Sequence, residues 1–179
     1  MKHIIRKILR EQKEEIIQAP PFSFFLNNWE DVLDWADGKL FRMSGHIDLS
    51  NTDITTLGGL VEVDGNLELF GCKNLQSLDE LRNVGGHLNL FGCINLQSLG
   101  KLRSVGSYLY LFGCENLKSL GELRSVGGYL DLYKCQNLES LDELKSVDGW
   151  LKLRYTTIAE KMTDEEIRNQ VDIKGRIYR

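Results

Sequence analysis

At 179 residues, 42% hydrophobic and 27% charged, the chain has room for one soluble domain with small appendages. Its net charge of −4 gives the whole molecule no electrostatic drive toward nucleic acid or anionic lipid. No apolar run reaches the roughly 18 residues that a membrane-spanning helix requires.

The chain begins Met1-Lys2-His3-Ile4-Ile5-Arg6-Lys7-Ile8. Charges interrupt this stretch, which lacks the continuous apolar stretch and small-residue cleavage site of a secretion signal, so the expected compartment is the cytoplasm. Ile4, Ile5, Ile8, Leu9, Ile16 and Ile17 fall roughly on one stripe and predict an amphipathic helix over residues 1–18. Such a helix would pack over the start of the domain or on a partner; Glu11, Glu14 and Glu15 disfavour a membrane surface. Pro20-Pro21 stops it. A second short helix is expected over residues 27–36, ended by Gly38, with Trp29 and Trp35 covering an open apolar end.

The middle of the chain repeats itself. Cys72, Cys93, Cys114 and Cys135 stand 21 residues apart, and their surroundings repeat with them. One unit reads Gly65-Asn66-Leu67-Glu68-Leu69-Phe70-Gly71-Cys72-Lys73-Asn74-Leu75-Gln76-Ser77-Leu78-Asp79-Glu80-Leu81-Arg82-Asn83-Val84. Shorter copies flank the array: His46-Ile47-Asp48-Leu49 leads to Thr52 and Ile54, and Trp150-Leu151-Lys152-Leu153 leads to Thr156 and Ile158. Atypical ends suit a stack, because each end unit has one neighbour only. The L-x-L alternation points both leucines to one face of a short strand. Leu75, Leu78, Leu81 and Val84 recur every three residues, which suits a tight return that keeps one face inward. One unit alone buries too little to offset its ordering entropy, so the units must stack.

The pattern L-x-L-x-x-C-x-x-L-x-S-L-x-x-L-x-x-V-x-G resembles leucine-rich repeats, especially those of receptor L-domain-type solenoids. The resemblance covers about residues 43–158. It implies a mainly β fold with terminal helices: a right-handed solenoid of about six rungs with a parallel sheet on one face. The expected organisation is an N-terminal helical cap over 1–42, the solenoid over 43–158 and a C-terminal cap over 159–179.

Stacking turns repeated residues into columns about 4.8 Å per rung. The cysteines form an inward column of reduced thiols, a small apolar filler. No C-x-x-C pair occurs, and one straight column cannot surround a tetrahedral zinc; no metal or cofactor is expected. The Asn74 and Ser77 columns are expected to satisfy backbone groups left by the turns; no Gly-x-Ser-x-Gly elbow marks a catalytic serine. Gly65, Gly86, Gly128 and Gly149 before the strand, and Gly71, Gly92 and Gly113 after it, are expected to supply positive φ. Arg82, Arg103, Arg124 and Lys145, beside Glu80, Glu122 and Glu143, read as a mutually neutralised flank.

Three columns point outward from the strands: His46, Asn66, His87, Tyr108, Tyr129, Trp150; Asp48, Glu68, Asn89, Tyr110, Asp131, Lys152; and Ser50, Phe70, Phe91, Phe112, Tyr133, Arg154. Aromatics are 9% of the chain but fill eight of these eighteen places. Stacked rings stabilise a sheet by themselves, at about 0.2–1 kcal/mol per pair. Tyr and Trp are also favoured where partners meet, so a binding face and a stabilising ladder both fit. The candidate partner-binding residues are Tyr108, Tyr110, Phe112, Tyr129, Asp131, Tyr133, Trp150 and Lys152. His46 and His87, two rungs apart, are too distant to share a metal ion. Asp48 and Glu68 on adjacent rungs are the one spacing suggestive of a carboxylate pair, with no cleft implied.

Thr163-Asp164-Glu165-Glu166 is a capping box that predicts a helix to about Val171. The tail from Met162 to Arg168, with Lys174-Gly175-Arg176-Ile177-Tyr178, is similar to the endings of phage leucine-rich proteins, which implies host cytoplasm or a virion as locations. The sequence thus reads as a non-catalytic module that binds another protein. A glycan partner, or a structural part in a larger assembly such as a virion, are the alternatives.

Overall fold

A computed structural model describes residues 15–179. The chain winds into a parallel β-solenoid of about seven coils with a spacing near 21 residues. Each central coil contributes two short strands. The L-x-L strands β5 (Leu67–Glu68), β7 (Leu88–Asn89), β9 (Leu109–Tyr110), β11 (Leu130–Asp131) and β13 (Leu151–Lys152) lie in a seven-stranded parallel sheet, here sheet B. Its ends are β3 (Ile47–Asp48) and β15 (Ile177–Tyr178). The register is uniform, Leu67 beside Leu88, Leu88 beside Leu109, and Leu109 beside Leu130.

A second sheet departs from the expectation of one. Strands β6 (Asn83–Val84), β8 (Ser104–Val105), β10 (Ser125–Val126) and β12 (Ser146–Val147) join β1 (Ile16–Gln18), β2 (Leu40–Met43), β4 (Leu60–Val63) and β14 (Asp172–Ile173) in an eight-stranded parallel sheet, sheet A. The every-third-residue leucines make the return. At its end the Asn-Val or Ser-Val pair extends, buries Val and leaves the polar residue half-buried, and the backbone ladders with the next coil.

Between the sheets runs one apolar spine. Leu67, Leu69, Cys72, Leu75, Leu78 and Leu81 are fully buried, as are their equivalents in the next two coils. The thiols line up in single file. Each donates to a carbonyl one coil back: Cys93 Sγ to Leu69 O at 3.0 Å and Cys114 Sγ to Leu90 O at 3.1 Å. Thr52 and Thr156, which replace Cys in the flanking copies, instead donate to their own coil, to Leu49 O and Leu153 O, both at 2.6 Å. Thr52 lies in the first coil of sheet B and has no preceding leucine carbonyl to reach, whereas Thr156 also accepts from Ala159 N as a helix cap.

The glycine expectation holds after the strand and fails before it. Gly71, Gly92 and Gly113 have φ of 69°, 72° and 75°, and Lys134 adopts 63° in the same place. Gly86 lies outside that region; its constraint is packing, since a Cβ there would sit 2.1 Å from Asn66 Oδ1 and 2.8 Å from Gly65 O. Successive coils touch at this corner, backbone to backbone.

At the N-terminal end, a short 3₁₀ turn (Phe22–Phe25) and α1 (Trp29–Ala36) cover the first coil. Asn28 caps α1 by accepting from Glu30 N at 3.0 Å. Trp29 is buried and donates Nε1–H to Thr56 O at 3.1 Å; Trp35 packs edge-on to Phe25 and Phe41 but stays partly exposed. Ile16 and Ile17, assigned by their spacing to a helical stripe, lie in strand β1 beside Leu40 and Phe41. The rest of that predicted helix lies outside the described residues.

At the other end, α2 (Thr157–Lys161) and α3 (Asp164–Gln170) occupy the return of the last coil, and the Thr163–Glu166 capping box forms as expected. Strands β14 and β15 then pair with β12 and β13, adding a coil beyond the six expected. No helix among the described residues is long and apolar enough to cross a membrane.

Candidate functional site

The outward columns share one face of sheet B, because alternate residues of its strands leave on the side opposite the leucines. All eight candidate residues come together there. Their rings form two parallel ladders. In the first, Tyr108 stacks on Tyr129 (centroids 4.1 Å, planes 18° apart), and Tyr129 on Trp150 (5.4 Å, 17°). In the second, Phe70 leans on Phe91 (5.2 Å, 31°), Phe91 stacks on Phe112 (4.6 Å, 8°), and Phe112 on Tyr133 (4.7 Å, 2°). Parallel strands put like residues at one rung spacing, which is close to ring-stacking distance.

Between the ladders the middle column is polar and internally paired. Glu68 bonds His87 Nε2. The hydroxyls of Tyr110 and Tyr129 bond each other; burial, and then this bond, push the Tyr110 phenol well above its ordinary range. Lys152 Nζ lies 3.2 Å from Asp131 Oδ2 and 4.6 Å from the centre of the Tyr133 ring, bridging the middle column to the second ladder. Asp48 accepts from Ser50 N at 2.9 Å, and these bonds to Ser50 hold its carboxyl below the usual range. Asp48 and Glu68 therefore have separate partners.

The face is open. Trp150 is 53% exposed and Tyr108 lies at the surface, while Tyr110, Tyr129 and Tyr133 are half-buried by their neighbours. Two aromatics escaped the sequence reading. Tyr155, 59% exposed, meets Tyr133 edge-on at 5.2 Å; it occupies the turn position that is glycine in three of the four central coils and Lys134 in the other. Tyr178 meets Trp150 edge-on at 5.8 Å. Its signal was the pair Ile177-Tyr178, a degenerate copy of the strand motif.

The remaining columns have structural partners. Burial raises the thiols of Cys93 and Cys135 to about 12 and that of Cys114 well above the ordinary value, which leaves them protonated and unreactive. Asn95 and Asn137 donate to Lys73 O and Glu115 O, each at 2.8 Å. Ser98 and Ser119 accept from Gly100 N and Gly121 N, at 3.0 and 2.9 Å. The charged flank pairs in part, Lys101 with Glu80 at 2.6 Å and Arg103 with Glu122 at 2.9 Å. Among the described residues, no group of three or more His, Cys, Asp or Glu could hold a metal ion. No protein-family model, no curated protein and no solved structure matches this chain.

Proposed function

We propose that the chain is a leucine-rich-repeat solenoid working as a non-catalytic interaction module, and that its partner is another protein docking on the aromatic face of sheet B. The observation carrying this reading is the contiguous surface of exposed Tyr108 and Trp150 with half-buried Tyr110, Phe112, Tyr129 and Tyr133, and with Asp131 and Lys152 between the ladders. Contiguous exposed aromatic surface of this kind marks interaction sites, and Tyr and Trp carry much of the binding energy at protein interfaces. Pre-stacked rings lose little freedom on docking, which favours affinity.

Ring orientation supports a protein over a glycan. A sugar binds by lying on a ring face, and the faces of Tyr129, Phe91 and Phe112 are already covered by stacked neighbours on both sides. What projects outward is ring edges and hydroxyls, a surface suited to the side chains of a second protein.

The test is capture of partners from the native source by the wild type and by a Tyr110→Ala/Tyr129→Ala variant. Each lost ring pair costs about 0.5–1.5 kcal/mol, so the variant stays folded with a melting point lower by several degrees. Loss of capture with the fold intact is the expected result. Undiminished capture would reduce the ladders to a stabilising device.

A further inference from the structure

The aromatic face is not uniform along the solenoid axis. At its C-terminal end the surface sinks into a depression of about 470 Å³ lined by Trp150, Lys152, Arg154, Ile177, Tyr178 and Arg179. Half of that lining is basic, and it includes no Asp or Glu, in a chain whose net charge is −4. The three cations are not equally committed. Lys152 is held by Asp131, and Arg179 turns to Asp164 at 3.7 Å and to the Ala159 carbonyl. Arg154 gives only its Nε–H, at 3.4 Å, to the Arg179 carbonyl, and its two terminal nitrogens have no partner among the described residues. Arg176, exposed, occupies in the last coil the place that Trp150 holds in the coil before.

The opposite end carries the opposite sign. A cleft of about 490 Å³ between α1 and the first coil is lined by Glu30, Asp48 and Asp53 among neutral residues, with no cation. A ligand drawn to one end is repelled from the other, so the face has a direction as well as a composition.

We infer that the C-terminal depression anchors an acidic segment of the partner protein, a carboxylate meeting the Arg154 guanidinium while a neighbouring apolar side chain packs against the Trp150–Tyr178 ring pair. Guanidinium offers a planar fork that matches a carboxylate with two hydrogen bonds. The Ile177 side chain and the two rings supply the apolar floor. This inference rests on the reading of sheet B as the docking face and names the chemistry that face selects.

The probe is an array of ten-residue peptides in which Phe or Leu is flanked by Asp and Glu, alongside the same peptides carrying Asn and Gln, or Lys, in place of the acids. Binding to the full chain is followed by fluorescence polarisation. Acidic peptides are expected to bind roughly ten-fold or more tightly than their amide counterparts, and to weaken as salt shortens the screening length below about 8 Å. Arg154→Glu, a change at an exposed side chain, is expected to abolish that preference while circular dichroism stays unchanged. Equal binding of the amide peptides, preference for the lysine peptides, no binding of any peptide, or an unaffected Arg154→Glu would each overturn the inference. Partner capture separates the two readings. Capture lost in Tyr110→Ala/Tyr129→Ala but kept in Arg154→Glu removes the anchor and leaves the face. Capture lost in Arg154→Glu alone keeps the anchor and removes the wider face.

Discussion

The four central coils and the two flanking ones are built from the same motif under different constraints. A central coil has a neighbour above and below, so its cysteine reaches back a coil for its acceptor and its glycine corner meets another backbone. In the flanking coils threonine returns its hydroxyl to its own coil, and helices or aromatic residues close the apolar spine. Repetition gives the middle its ladders; departure from repetition stops them. The aromatic face runs through the repeating part into the Trp150 coil, and its charged ends belong to the departures.

Five substitutions sharpen this contrast, the largest effect first. Leu111→Ala empties a fully buried position flanked on both sides and is expected to cost about 3–5 kcal/mol in urea unfolding, against about 2–3 for Leu49→Ala in the first L-x-L coil. Equal costs would show that neighbour number does not set core stability. Asp142→Ala removes a carboxylate that accepts from Ser119 Oγ at 2.8 Å and Leu120 N at 2.5 Å, strapping adjacent coils. Its expected cost is about 1–3 kcal/mol. Tyr110→Phe deletes one of the paired hydroxyls and is expected to cost about 0.5–1.5 kcal/mol, read as a shift of the urea midpoint. Lys134→Gly restores the residue that the three preceding coils carry at the same left-handed turn and is expected to stabilise by up to about 1 kcal/mol.

The thiol column makes a pH prediction. A free thiol ionises near 9.0, whereas folding raises Cys93 and Cys135 to about 12. The native state therefore holds more protons than the unfolded one above pH 9, and stability falls as pH rises from 9 toward 12. Below 9 the thiols are protonated in both states and contribute no slope. Titrating the urea midpoint of wild type against Cys93→Ala/Cys135→Ala checks this: the variant should have the shallower alkaline decline. A native-state thiol reagent should label none of the four until denaturant is added.

The solenoid was legible in the sequence because a 21-residue period returns the same side chain to the same place, and burial then needs no further argument. The outward columns were legible for the same reason, as was the capping box. Sheet A was not. A two-residue strand such as Ser104–Val105 has no alternation to read, and its pairing is a consequence of stacking rather than of local preference. The last coil was hidden because α3 stretches the spacing to 26 residues between Leu151 and Ile177. Gly86 was misjudged because close backbone approach and positive φ both select glycine, and sequence does not separate them. The charge polarity of the candidate face was also invisible, since Arg154, Arg179 and Tyr178 meet only once the last coil is in place.

The central claim, that the aromatic face of sheet B is where a partner docks, is met most directly by hydroxyl-radical footprinting of the chain alone and in its captured complex. Protection concentrated at Tyr108, Tyr110, Tyr129, Tyr133 and Trp150, with Trp35 and Phe24 at the far cap still labelled, is the predicted result. Protection at the cap or along sheet A, with those five residues labelled as in the free chain, would contradict it.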